Sequence, residues 1–192
     1  MKYFYLDLET TGLDPEKSAI CQLACIIECY GKINLEWNIL VQPFKEAEIV
    51  PEALKVNGLT IDLINAGYTY SSAFGSLKSH LGRYVDCYQR TDKYFMVGYN
   101  ALAFDDRFLR SMWTRNRDRF YGSWFHWPVL DVAVLAAVYL MRDRHKMKDF
   151  KLDTVAEALR VPRVGDAHDA LSDVRLTRDI FLKIMEDGKE KL

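Results

Sequence analysis

Apolar and polar positions change period several times along the chain, and each change marks an element. Residues 2–8 are mainly aromatic or aliphatic, the pattern of a strand covered on both faces, and Gly12 with Asp14-Pro15 ends it. Residues 20–30 and 33–41 are β-rich and are separated by Gly31-Lys32, a two-residue hairpin signal, so strands one to three form a meander. Pro51 to Gly58 reads as a helical turn with proline at its start and glycine at its end, and Thr60 caps a second short helix through Asn65. An amphipathic helix follows over 70–85, then a short buried strand over 94–98 and a helix over 103–117. Residues 124–130 hold a fifth short strand, and Asp131 caps a helix running to Met141. Beyond a polar loop, Thr154 with Glu157 makes a capping-box pattern, residues 161–166 form a Pro/Gly connection, and Asp169 opens a terminal helix to about Glu186. Strands first and helix–strand alternation later predict one α/β domain with a mixed sheet over residues 1–192, with no repeat or linker.

The same periodicities single out four acids. Side chains alternate across a strand, so Asp7 and Glu9 share one face and Leu8 takes the other. Two carboxylates beside a core repel unless something positive joins them, and a divalent cation is the simplest candidate; two exposed acids at a strand end is the alternative. On the helix from Phe104, the apolar set Phe104, Phe108, Leu109, Met112 and Trp113 has Asp105 near its middle and Asp106 at its edge. On the terminal helix, Val174, Thr177, Ile180, Phe181 and Ile184 mark a core face that includes Asp173 and excludes Asp179. Four inward acids, with no equally buried cation in sequence reach, point to a two-metal centre. His168, five residues ahead of Asp173 in a Gly-flanked loop, is the candidate base. His126, between Trp124 and Trp127, reads as a packing residue, and His80 and His145 as solvated.

Composition narrows the setting. A chain of 192 residues with 49% hydrophobic and 13% aromatic residues is large enough for a substantial core. The net charge of -1 excludes a global positive field, so a polyanion site must be local or metal-assisted. Residues 107–119 carry five arginines, and residues 142–151 carry five cations; each stretch reads either as a phosphate track or as a solvated surface. With Trp124 and Trp127, the arginines are candidates to stack on or steer a single strand, packing being the alternative. Cys21, Cys25 and Cys29 fall on one sheet face roughly 13 Å apart, too far for one zinc, and suit buried free thiols in a reducing compartment. The amino terminus lacks a leader pattern, and the apolar run 132–141 is too short to span a bilayer, so a soluble cytoplasmic protein without membrane contact is expected.

Three motifs then carry a resemblance. Asp7-x-Glu9-Thr-Thr-Gly-Leu13, Asn100-x-x-x-Phe104-Asp105-x-x-Phe108-Leu109 and His168-x-Ala170-x-x-Asp173 resemble the exonuclease motifs of the DnaQ-like 3′-5′ exonuclease family, in its DEDDh branch of four acids and a histidine. They stand in the family's order and cover nearly the whole chain. The resemblance implies a ribonuclease H-like α/β fold: a five-stranded mixed sheet of order 3-2-1-4-5, strand 2 antiparallel, flanked by helices. It also implies two Mg²⁺ or Mn²⁺ ions and removal of 5′-mononucleotides from the 3′ end of single-stranded DNA or RNA. In those terms Asp7 would bridge both ions, Glu9 and Asp173 would complete one site, Asp105 would reach the other, and His168 would take a proton from the attacking water. Thr10 and the backbone near Thr11 would receive the 3′ hydroxyl, Leu13 would wedge against the last base, and Tyr99, Asn100 and Phe104 would line the pocket. For Leu13 and Phe104, plain core is the competing assignment. Tyr99 and Asn57 stand where many relatives have histidine. Some relatives dimerise, which leaves room for a homodimer. The rival functions are a non-catalytic nucleic-acid or protein-binding module on the same fold and a polymerase proofreading subunit. The chain ends soon after its last helix, without a long docking tail, which favours a stand-alone trimming enzyme. The choice between DNA and RNA stays open, because the 2′ hydroxyl is read by pocket detail.

Overall fold

The computed structural model describes residues 1–165 and 169–189. Its strands are β1 (Lys2–Thr10), β2 (Ile20–Cys29), β3 (Lys32–Leu40), β4 (Phe95–Gly98) and β5 (Leu130–Asp131). Its helices are α1 (Pro51–Asn57), α2 (Ile61–Asn65), α3 (Tyr70–Leu81), α4 (Asp105–Arg115), α5 (Val132–Tyr139), α6 (Leu152–Leu159) and α7 (Ala170–Lys189). The sheet runs in the order β3-β2-β1-β4-β5. The two hairpin pairs are antiparallel, and β1–β4 and β4–β5 are parallel.

Both faces of the sheet are covered, which is why β1 and β2 read as near-continuous apolar runs. Phe4, Leu6 and Leu8 pack with Phe74, Leu77, Phe108 and Met112 of α3 and α4. Tyr5, Ile26 and Val97 face the other way and meet Val132, Val155, Val174 and Phe181 of α5, α6 and α7. Each such side chain, fully buried, stabilises the fold by about 1.5–3 kcal/mol. The sheet is thereby held rigid at the end of β1 where the acids emerge. Cys21, Cys25 and Cys29 are buried free thiols, and burial pushes Cys21 up to about 12.

Several boundaries differ from the sequence expectation. The hairpin turn is Tyr30-Gly31, both at positive φ (56° and 80°), as a tight turn matched to strand twist requires; Lys32 already pairs with Cys29. Helix α3 stops at Leu81 and the chain continues as turns over 82–84, with Gly82 still right-handed and its N–H on the Lys78 carbonyl. The fifth strand is interrupted: Phe125 bridges Tyr94, Pro128 offers no N–H, and pairing resumes only at Leu130. Thr154 is no cap but lies inside α6, and its hydroxyl donates to Asp149 at 2.6 Å; that carboxylate also accepts the Lys151 N–H. The reading of Asp169 holds, its side chain accepting the Ser172 N–H at 3.1 Å. His80 is half-buried, edge-on to Trp37 at 4.8 Å, and burial lowers its pKa; His126 stacks on Phe95 at 4.5 Å. Among the described residues no helix is long and apolar enough to cross a membrane.

Candidate active site

The site begins where β1 loses a neighbour. Strand β4 pairs with β1 only as far as Tyr5, so the edge beyond it is open. Asp105, in the first turn of α4, closes that gap: its Oδ1 accepts the Leu8 N–H at 2.9 Å. The carboxyl is 4% exposed and lies against the backbone between Asp7 and Glu9.

The mutual influence of the acids follows from this packing. Burial, then Asp105, Glu9 and Asp173, push the Asp7 carboxyl well above its ordinary range. Burial and Asp173 push Glu9 up to about 7. Burial pushes Asp105 up to about 8, against the opposing effect of the Leu8 N–H. The four acids that strand and helix periodicity singled out are thus brought within electrostatic reach of one another. His168 lies outside the described residues.

One expectation is corrected: a cation is at hand. Arg163 is 18% exposed at its side chain, and its guanidinium reaches Asp173 at 2.5 Å and Asp153 at 2.6 Å. It also acts on Asp7, in the opposite sense to the acids. Among the described residues no group of three His, Cys, Asp or Glu side chains is drawn into metal-holding geometry. Asp105 commits an oxygen to Leu8 and Asp173 one to Arg163. The donor chemistry nevertheless fits hard divalent ions: four clustered carboxylates, three of them raised above their ordinary pKa, suit Mg²⁺ or Mn²⁺ better than softer metals.

The loop after the acids is tightly built. Thr10 donates its hydroxyl to the Gly12 carbonyl at 2.7 Å, and the Asn57 amide donates to the Thr10 carbonyl at 3.0 Å. Thr11 is fully buried; its hydroxyl donates to the Glu48 carbonyl and accepts the Ala19 N–H, and its own N–H and carbonyl bond Ala19 and Val50. Every polar group of Thr11 is therefore engaged within the fold, and what it contributes is the loop's position. A Cβ on Gly12 would lie 2.4 Å from Ser18 Oγ and 3.0 Å from Val50 Cγ2, so a larger residue would have to push these side chains aside. Leu13 is 81% exposed, which rules out the core assignment, whereas Phe104 is half-buried, 4.9 Å from Phe108.

The substrate candidates fall around two recesses. A groove of about 600 Å³ is lined by Glu9, Thr10, Leu13, Val56, Asn57 and Phe104. A second, about 620 Å³, is lined by Tyr99, Asn100, Phe150, Lys151, Arg163 and Asp173. Tyr99 donates its hydroxyl to the Phe150 carbonyl at 2.5 Å, and Asn100 sits at φ 59° with its N–H on Asp131. Sequence reasoning missed Arg163, since a Pro/Gly connection has no periodicity to mark an inward side chain. It also put Asp106 at the helix edge, whereas Asp106 is buried by Arg110 at 2.7 Å and the Tyr121 hydroxyl at 2.5 Å.

A helix-flanked mixed sheet of order 3-2-1-4-5, with strand 2 antiparallel, is the ribonuclease H-like fold, here with acids at the end of its central strand. Residues 4–181 match the RNase_T family model, described as Exonuclease, and the chain belongs to that DnaQ-like family. The PolC-type DNA polymerase III of Thermotoga maritima is 29% identical over 188 residues, 98% of this chain and 12% of the polymerase. Ribonuclease T of Haemophilus influenzae is 29% identical over 196 residues, 96% of this chain and 80% of that protein. This chain thus spans a small fraction of the polymerase and most of the ribonuclease. The crystal structure of E. coli exonuclease I in complex with a dT13 oligonucleotide matches 99% of this chain and 42% of that one, with a TM-score of 0.77 at 20% identity, a likeness of fold.

Proposed function

We propose that this chain is a metal-dependent 3′-5′ exonuclease that hydrolyses the terminal phosphodiester bond of single-stranded DNA or RNA and releases 5′-mononucleotides. The observation that carries the reading is the carboxyl cluster of Asp7, Glu9, Asp105 and Asp173 at the open end of β1, with an apolar groove alongside. Asp7, Glu9, Asp105 and Asp173 would hold two Mg²⁺ or Mn²⁺ ions, which when bound supply charge neutralisation at the attacking and leaving oxygens. Leu13 and Phe104, both in the groove lining, grip the terminal base, and Thr10, anchored by Asn57, fixes where the 3′ end stops. Tyr99 and Asn100 border the recess beside Asp173, where the scissile phosphate's neighbours would lie. His168 would accept the proton of the attacking water, five residues before Asp173. The family's exonuclease description and the oligonucleotide bound in the E. coli exonuclease I structure support this reading.

The test is degradation of end-labelled single-stranded DNA and RNA in Mn²⁺. The native protein is expected to release mononucleotides from the 3′ end, and Asp7→Asn to lose roughly 10²-fold or more of that rate, the usual cost of removing one preorganised group at a reacting centre. A native protein that degrades neither polymer, or an Asp7→Asn variant that matches it, would overturn the proposal. A second reading, a polymerase proofreading module, is favoured by the match of 98% of this chain to 12% of the Thermotoga polymerase. It predicts faster trimming of a mismatched than of a matched primer end. Light scattering on the same sample decides between monomer and homodimer.

A further inference from the structure

We propose that a separate groove on the β5 side of the molecule binds the single strand 5′ of the terminal nucleotide, stacking a base on Trp127 and pairing a phosphate with Arg107. The proposal rests on the exonuclease reading and adds to it a second contact region outside the acid cluster. The groove is about 680 Å³ and is lined in part by Lys93, Leu102, Arg107, Arg110, His126 and Trp127. Its indole stands apart from the protein's other tryptophans: Trp113 and Trp124 are buried, at 1% and 6% exposure, and Trp37 is half-buried, while Trp127 is 70% exposed. That finding removes Trp124 from the stacking candidates and leaves Trp127.

Charge selects the occupant. The chain as a whole carries a net charge of -1, yet this groove presents Lys93, Arg107 and Arg110 against one acid, Asp106. Asp106 is already occupied, by Arg110 at 2.7 Å and by the Tyr121 hydroxyl at 2.5 Å. The Arg110 guanidinium in turn lies 4.2 Å from the Tyr121 ring centre and 5.9 Å from that of Trp127, so cation and aromatic face adjoin. An acidic peptide would satisfy the cations and leave the indole face bare. An apolar partner would cover the indole and strand the cations. A single-stranded nucleic acid uses both, because every base has a face to stack and every linkage a charge to neutralise. Place completes the argument: Leu102, Asp106 and Arg107 frame the entry to α4, whose first turn also carries Asp105. The groove therefore adjoins the helix turn that carries Asp105.

The experiment compares steady-state cleavage of dT2 and dT12 in Mn²⁺ by the native protein, Trp127→Ala, Trp127→Phe and Arg107→Gln. For dT12, Trp127→Ala and Arg107→Gln are expected to raise KM about tenfold with kcat unchanged, the lower end of what one stacked base or one phosphate contact contributes. For dT2 both parameters should stay at the native values, and Trp127→Phe should recover most of the dT12 affinity. An unchanged KM for dT12, or an equal rise for dT2, overturns the groove while leaving the exonuclease reading intact. If the native protein cleaves neither substrate, that reading fails instead, and anisotropy of fluorescent dT12 in EDTA then tests the groove alone. Binding of dT12 weakened by Trp127→Ala sustains it; dT12 binding left unchanged by these variants while binding of a fluorescent acidic peptide is weakened assigns the groove to protein and overturns it.

Discussion

Arg163 is the side chain whose role the surrounding charges define most sharply. Its guanidinium joins Asp173 to Asp153, so it satisfies by itself part of the negative charge that metal ions would otherwise meet. On the two-ion reading it competes for an Asp173 oxygen, and Arg163→Gln is expected to tighten Mn²⁺ binding severalfold, to about tenfold, while lowering the melting temperature in EDTA. Isothermal titration with Mn²⁺ measures the first effect; weaker binding would mean instead that Arg163 orients Asp173 for the metal. Asp7, Glu9, Asp105 and Asp173 were legible as inward acids because each lies on a regular element whose period says which way it points. Arg163 and Asp106 were not. The first lies in a loop, and the second is buried by Tyr121, fifteen residues further along.

The connection through Asp131 shows how short elements hold the site. Strand β5 has two residues, yet Asp131 caps α5 by accepting the Ala133 N–H at 3.0 Å and also accepts the N–H groups of Asn100 at 3.0 Å and Leu102 at 3.1 Å. One carboxylate, 7% exposed, therefore ties β5, α5 and the loop leading to α4 and Asp105. Asp131→Ala is expected to destabilise the protein by about 2–3 kcal/mol, a lost cap plus buried donors left unpaired, and Asp131→Asn by less. Urea unfolding monitored by circular dichroism checks both. The capping role was readable from an aspartate placed before an apolar helix. Its two further bonds join residues about thirty positions apart, a relation that no local pattern contains.

Across the whole molecule the acid cluster links protonation to stability. The folded-state pKa values of Asp7, Glu9 and Asp105 are raised, Glu9 to about 7 and Asp105 to about 8, so the folded protein holds protons that the unfolded chain releases near pH 4. The resulting stability is complete below the unfolded values and is lost as pH rises through about 7 to 8. In EDTA the melting temperature should therefore fall between pH 5.5 and 8.5, and Mn²⁺ should raise it more at the upper end, where the carboxylates are ionised. Scanning fluorimetry in both buffers checks this, and a melting temperature that climbs with pH in EDTA would contradict it. Glu36 and Asp118 have lowered values and weaken the fold only in more acid solution, outside this window, whereas His80, lowered by burial, opposes the fall at the acid end of the window, so the fall is read most cleanly above about pH 6.5. Reading the chain alone was enough for the strand meander, the α/β class and the four inward acids, because burial imposes a period of 2 or 3.6 that residue order displays directly. Folding was needed to bring Arg163 onto Asp173, to bury Asp106, to leave Leu13 and Trp127 exposed, and to set two recesses around the acids. These are contacts between elements far apart in sequence, governed by how sheet and helices pack, and periodicity within one element carries no information about its neighbours.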